Sequence, residues 1–466
     1  MKFILPMLVL FASFNAHAAD APKDISSAVE AYRFWYPTVS MEGMMSGMRS
    51  LGVKDNARMF SAQGDAGVLA FTANQDTPYA VALLDLKDGP MVVEIPAGPF
   101  MALVDDHHQR WIVDMGIPGQ DGGKGGKYLI LPPQYKSEVP QGFNVAQSNT
   151  FKVMLVARVI PQAGQSMKTT QERIKEFRIY PLSTIKSPKL VTVFDATGKK
   201  GDTSLLKWES NIQFWQQLAK VINEEPMDSR YQIMFDQLKA FGIEKGKEFK
   251  PDAATKKMLE AAAKEGKTQM LTTSFSSDRP DRIKWGDRKW EWLLLNSDPT
   301  WATNHDMDPV ARDRYFAQAI VMSPAMLKRD ASAGSLYWGA FKDANNKAMD
   351  GGRHYKLTVP MPVPARLFWS VTVYDTETRS LIQNGRPNAA IRSLVELKDM
   401  KDVKSVDLYF GPSAPAGNEK TWVKTIPGKT WFAYFRIYGP DKEAFEGAWK
   451  PGDITEIKNE TMASFD

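Results

Sequence analysis

The sequence predicts a mainly β protein with an α-helical insertion, built as two tandem antiparallel β-sandwich domains of jelly-roll type. Three observations predict it. Short runs rich in β-branched and aromatic residues, parted by Gly, Pro and Asp clusters, fill two stretches of the chain. Apolar residues at helical spacing occupy the stretch between them. The two β-rich stretches also repeat one order of strands and turns, which predicts a divergent duplication. The expected divisions are a signal peptide at 1–18, a helical segment at 19–60, a first β domain at 61–185, a helical insertion at 186–330 and a second β domain at 331–466. A chain of 466 residues is long enough for several cores.

At the start, Lys2 precedes a short apolar run and Ala16-His-Ala18 supplies small residues at cleavage spacing, the pattern of a removable secretory signal. The run falls short of the roughly 20 residues a membrane-spanning helix needs. No later stretch meets that length either, so the mature chain is expected in the periplasm without a transmembrane segment. The chain has no cysteine, which excludes disulfides, a thiol nucleophile and a thiolate zinc site. Its formal net charge of +5 is small for its length and the basic residues are interspersed with acidic ones, which argues against nucleic acid as a partner.

Ser27 and Glu30 stand at capping-box spacing ahead of Val29, Tyr32, Trp35 or Tyr36, and Val39, which predicts a helix kinked at Pro37. Strand patterns follow at Val68–Phe71, Tyr79–Leu86, Met91–Ile95, Met101–Val104, Trp111–Val113, Lys127–Leu131 and Phe151–Ile160. Leu205, Trp208, Ile212, Trp215, Leu218 and Ile222 then share one helical stripe. Further helices are predicted over Tyr231–Phe241, Asp252–Ala263 and Val310–Met322. From Leu336 the strand period returns. Met349–Pro360 followed by Pro364–Asp375 parallels Leu84–Pro96 followed by Pro99–Asp106, and Arg436 falls where Arg158 falls, late in an apolar strand.

The stretch Asn74-Gln-Asp-Thr-Pro-Tyr79 with Asp88-Gly-Pro90 resembles the family called domain of unknown function 1254. Asp350-Gly351, Phe368–Asp375, Asn384, Arg386 and Arg436-Ile-Tyr438 resemble its usual C-terminal companion, domain of unknown function 1214. The resemblance implies tandem β domains in secreted bacterial proteins and carries no assigned reaction. Asp105-Asp-His-His108 departs from the family pattern.

Candidate chemistry is sparse. Asp105 and His107 would share one face of a strand, but a single Asp/His pair needs further ligands that no nearby residue supplies, so no metal site is expected. Asp298–Asp308 lacks the glycine and distal Glu of a calcium loop. Gly-x-Ser-x-Gly is absent, and Gly119–Lys127 lacks the Lys-Ser/Thr and the helix of a phosphate loop. No motif implies a cofactor or an oligomeric state.

The better candidates are polar groups in apolar surroundings. Asp76 serves either as a turn cap or, with Asn74 and Tyr79, as part of a cleft wall. Arg158 and Arg436 each require a carboxylate partner or a bound anion, because an unpaired buried charge is costly. Alternation along Phe368–Tyr374 would gather Phe368, Ser370, Thr372 and Tyr374 on a ligand-facing wall, with Arg366, Arg386, Asn384 and Arg436 close by. Two functions remain open. One is binding of a polar small molecule or glycan in a cleft lined by Asp, Asn, Tyr and Arg, with acid–base catalysis as an extension. The other is a non-catalytic envelope module that binds glycan or protein through exposed aromatics.

Overall fold

A computed structural model describes residues 23–64, 69–162, 164–199, 207–303, 307–400, 403–447 and 449–457. The segment expected as a signal, 1–18, lies outside the described residues. Among the described residues the structure is mostly β, with 28% strand in four sheets, 27% helix and no closed barrel.

The first β unit holds β1 (Arg58–Ala62), β2 (Tyr79–Asp85), β3 (Met91–Ile95), β4 (Phe100–Asp106), β5 (Trp111–Gly116), β6 (Gly126–Leu131), β7 (Asn144–Gln147), β8 (Lys152–Val159), β9 (Arg178–Pro181) and β10 (Thr192–Asp195). They form a six-stranded sheet in the order β10-β1-β2-β8-β4-β5 and a four-stranded sheet in the order β7-β6-β3-β9. Side-chain alternation decides which face of the larger sheet meets which neighbour. Ala80, Ala82 and Leu84 of β2, with Val153, Leu155 and Ala157 of β8, pack with Met91, Val93 and Ile130 of the smaller sheet in one core. Val81, Leu83 and Met154 turn the other way, into a second core. Met59 and Phe60 lie in β1; of the strand expected over Val68–Phe71, Val68 lies outside the described residues, and Ala70 and Phe71 lie outside any strand.

In the second unit are β11 (Trp290–Trp292), β12 (Ser335–Ala340), β13 (Met349–Asp350), β14 (His354–Pro360), β15 (Ala365–Asp375), β16 (Ala390–Arg392), β17 (Ser405–Gly411), β18 (Trp422–Lys424), β19 (Thr430–Pro440) and β20 (Thr455–Ile457). The larger sheet runs β11-β12-β19-β15-β16, with β13 also on β19, and the smaller runs β18-β17-β14-β20. In each unit the smaller sheet includes one parallel pair, β6 with β7 and β17 with β18.

Helix α1 (Ile25–Leu51) is capped by Asp24, whose carboxylate accepts from the Ser27 N–H at 2.8 Å, and it ends at Gly52 with φ 111°. The cap is therefore Asp24 and not the expected Ser27/Glu30 pair. Pro37 lies inside this helix. After α2 (Met167–Glu172), which follows β8, come the helices of the central part: the first half of α1 packs with α3 (Ile212–Glu224), α4 (Gln232–Ala240), α5 (Ala253–Ser276) and α6 (Pro309–Phe316) around Tyr32, Trp35, Trp215 and Leu259. A Cβ on Gly266 of α5 would stand 2.3 Å from the Tyr32 ring, so glycine permits this close approach. The second half of α1 presents Met41, Met44, Met45 and Met48 to Val81, Leu83 and Met154 of the first sheet.

The helix predicted over Val310–Met322 stops at Phe316 because tertiary hydrogen bonds claim the following backbone. Val321, with φ 55°, donates its N–H to Gln109 at 2.8 Å, and Met322 donates to Asp105 at 2.7 Å. The segment 317–323 thus lies against the β4–β5 hairpin, not on a helical path.

Candidate functional site

Between the two units is a cavity of about 290 Å³. Its floor is the face of the first large sheet turned toward α1. Strand register places Tyr79, Arg158 and Met101 side by side on β2, β8 and β4, and two residues further along Val81, Val156, Leu103 and Asp114 form the next row. Met44, Met48 and Leu51 of α1 and Ile320, Val321 and Met326 close it with apolar surface. The second unit contributes Ser335 and Tyr337 from β12 and Tyr434 and Arg436 from β19, with Tyr337 and Arg436 directly opposite in register.

One end of the cavity is polar. The loop before β2 is folded by Asn74, whose side-chain oxygen accepts from the Asp76 N–H at 3.0 Å while its Nδ2 donates to the Tyr79 hydroxyl at 2.6 Å. Asn74 is therefore the turn-forming residue, which frees Asp76 to reach the second unit. Asp76 Oδ2 accepts from Ser370 Oγ at 2.8 Å and from the Tyr438 hydroxyl at 2.9 Å. Its Oδ1 has no hydrogen-bond partner.

Arg158 lies 5.4 Å from the Tyr438 ring centre, with the Tyr337 and Tyr79 hydroxyls around it. Arg436, 3% exposed, donates Nη2–H to the Thr72 carbonyl at 2.8 Å, while its Nε and Nη1 have no partner. Asp76 is the carboxylate that acts on Arg436, from beyond ion-pair distance, and the groups that act on Arg158 are the neutral phenols of Tyr337, Tyr79 and Tyr438. Both guanidinium groups stay protonated at any physiological pH. One arginine from each unit thus lines the cavity, and neither has a carboxylate in contact among the described residues.

A second polar point is Asp114 on β5. Ser323 Oγ donates to its Oδ2 at 2.8 Å, Oδ1 is unpartnered, and burial raises the carboxyl pKa to about 6 against the pull of that hydroxyl. Asp105 sits behind it, sealed from solvent, where burial raises its pKa well above the ordinary value despite the bond from Met322 N–H.

Of the residues singled out in the sequence, Asn74, Tyr79, Arg158 and Arg436 line the cavity and Asp76 stands beside it. The Phe368–Tyr374 wall does not. Phe368 stacks on Tyr438, Ser370 bonds Asp76, and Tyr374, fully buried, donates to the Ala73 carbonyl at 2.8 Å, so this strand face seals one unit against the other. Asn384 donates to the Lys424 carbonyl and accepts from Arg386 N–H as a turn, and Arg386 is exposed over the Trp422 ring. Both lie away from the cavity, as does the half-exposed Arg366.

Asp105 and His107 do not converge on a metal position. His107 is bonded at both ring nitrogens, by Glu225 at 3.0 Å and Glu42 at 3.2 Å, which leaves no lone pair for an ion. Sequence reasoning missed Tyr337, Asp114 and the methionines of α1. Only the spacing of Met41, Met44, Met45 and Met48 offered a signal, and it reads equally as ordinary helix packing.

Residues 57–181 match a family described as Protein of unknown function (DUF1254), and residues 334–442 match Protein of unknown function (DUF1214). The chain belongs to the tandem DUF1254–DUF1214 family. Tyr79, Asp114 and Arg158 come from the DUF1254 region and Tyr337, Tyr434 and Arg436 from the DUF1214 region, so the cavity lies where the two family regions meet. The fold is similar to the crystal structure of the VPA0106 protein from Vibrio parahaemolyticus, with 17% identity over 93% of this chain and 100% of that one and a TM-score of 0.57. An uncharacterised protein from Burkholderia cenocepacia aligns over 95% of this chain and 92% of its own at 11% identity, with a TM-score of 0.42. No curated protein matches the DUF1254–DUF1214 chain.

Proposed function

We propose that this protein binds a polar-ended small molecule in the cavity between its two β units. The observation that carries the reading is that Arg436, buried, and Arg158, partly buried, line the same cavity without a contacting carboxylate. Buried charge of this kind is ordinarily paired, so a complementary ligand group supplies the missing partner. Val156→Trp, which fills the lumen from the centre of the sheet, tests it. Native mass spectrometry of the full-length chain incubated with a metabolite extract should show a bound mass that the variant lacks. Equal mass spectra for the two proteins would end the reading.

Asp114 favours an extension to acid–base catalysis, since a carboxyl raised to about 6 and lining the cavity can exchange a proton near neutral pH. Turnover of a bound compound that disappears in Asp114→Asn, with binding retained, is the result that supports it.

The same proposal covers the setting of the site. The Lys2 and Ala16-His-Ala18 pattern supports export to the periplasm, which a mature N-terminus near Ala19 in periplasmic extract would check. The paired strand orders β2-β8-β4-β5 with β7-β6-β3-β9 and β12-β19-β15-β16 with β18-β17-β14-β20 support two face-packed sandwiches descended from one duplicated unit.

A further inference from the structure

We infer that the ligand is an amphipathic monocarboxylate of medium chain length, its carboxylate held between Arg158 and Arg436 and its hydrocarbon body lying along the methionine face of α1. The inference rests on the binding reading above and adds the chemistry of the ligand.

Charge fixes the head group. Arg158 and Arg436 contribute two positive charges, and Asp76, engaged by Ser370 and Tyr438, contributes one negative. Arg392, which Asp76 also influences, is closed on Glu396 at 2.6 Å and adds nothing to the balance. One positive charge remains for one monoanion. The Nε–H and Nη1–H of Arg436 are unpartnered and lie on different edges of the guanidinium, so each is a single charge-assisted donor for a carboxylate oxygen. Asp114 and Lys199 are the other charged groups on the lining, and Lys199 is exposed over the Phe194 ring at 4.8 Å.

The walls fix the body. Away from the arginines the lining is chiefly Met44, Met48, Phe60, Val81, Val156 and Ile320, a surface on which sugar hydroxyls would find no partners. Methionines suit a flexible chain because their thioethers adapt to its shape. The volume of about 290 Å³ is close to twice the ~150 Å³ apolar void that admits benzene, room for roughly eight to twelve carbons.

Isothermal titration of the full-length chain, freed of lipid on a hydrophobic resin, with decanoate, decanol, decyltrimethylammonium and decyl phosphate tests the inference. Decanoate should bind with a Kd at least tenfold below that of decanol, and the ammonium compound should not bind. Arg158→Gln should raise the decanoate Kd tenfold or more while moving the decanol Kd less than twofold. The decanol titration also verifies that the variant is folded.

If decanol or decyl phosphate binds as tightly as decanoate, or if Arg158→Gln leaves the decanoate Kd unchanged, the carboxylate assignment is overturned while cavity binding stands. If Val156→Trp leaves decanoate binding intact, the cavity is not the binding site and the underlying reading falls with it.

Discussion

Ser370 Oγ donates to Asp76 Oδ2 at 2.8 Å, joining the signature strand of the second unit to the signature loop of the first across 294 residues of chain. The Tyr438 hydroxyl completes the same junction at 2.9 Å. A polar contact of this kind, closed to solvent, costs more to break on one side than it contributes when whole. Asp76→Ala strands two buried donors, so it should destabilise the protein by about 3 kcal/mol in urea unfolding. An unchanged midpoint would show that the units are held by apolar packing alone.

Tyr374 and Arg386 should be separable from binding. Tyr374→Phe removes one hydrogen bond, to the Ala73 carbonyl, and is expected to cost about 1 kcal/mol of stability. Arg386→Lys changes an exposed contact with Trp422 and should stay within about 0.5 kcal/mol of the parent. Neither should alter the Kd of a cavity ligand more than twofold, and a larger change in titration would return the site to the β15 face.

His107 should make stability depend on pH. Burial lowers its pKa, but Glu225 and Glu42 outweigh that and raise it above the ordinary 6.5. Burial raises Glu42, but His107 and Lys220 bring it from 4.5 to about 2. The raised histidine contributes fully below pH 6.5 and loses its contribution as pH rises through its folded value, whereas the lowered Glu42 contributes fully above pH 4.5 and loses it as pH falls toward 2. The Tm gap between the parent and His107→Gln should therefore be widest between pH 4.5 and 6.5 and narrow on both sides, as thermal scans across pH would reveal.

Asp114 should act in the opposite sense to the usual carboxylate. Its pKa is raised from 3.8 to about 6, so the folded state holds a proton that the unfolded state has released, and stability falls as pH rises between those values. Asp114→Asn should lose that fall, gaining on the order of 2 kcal/mol over the parent at pH 7 and little at pH 3. A stability difference that is flat with pH would show that the carboxyl titrates alike in the folded and unfolded states.

The sequence by itself determined the β units, the central helices and the membership of the family. Each of these is carried by local pattern: the short apolar run in Tyr79–Asp85, helical spacing from Ile212 to Ile222, and motif residues such as Asn74 and Arg436. It also marked Arg158 and Arg436 as charges in need of a partner, because burial cost attaches to a residue type in an apolar strand wherever that strand goes. Tertiary structure alone decided that the two arginines face one cavity, since this depends on how the β8 and β19 sheets are set against each other. It decided as well that Tyr374 faces the loop of the other unit and not the cavity. Alternation assigns residues to faces of a strand but does not say what covers each face. The helix expected through Met322 failed for a related reason: Gln109 and Asp105, more than 200 residues away in sequence, offered its backbone better partners than a further helical turn.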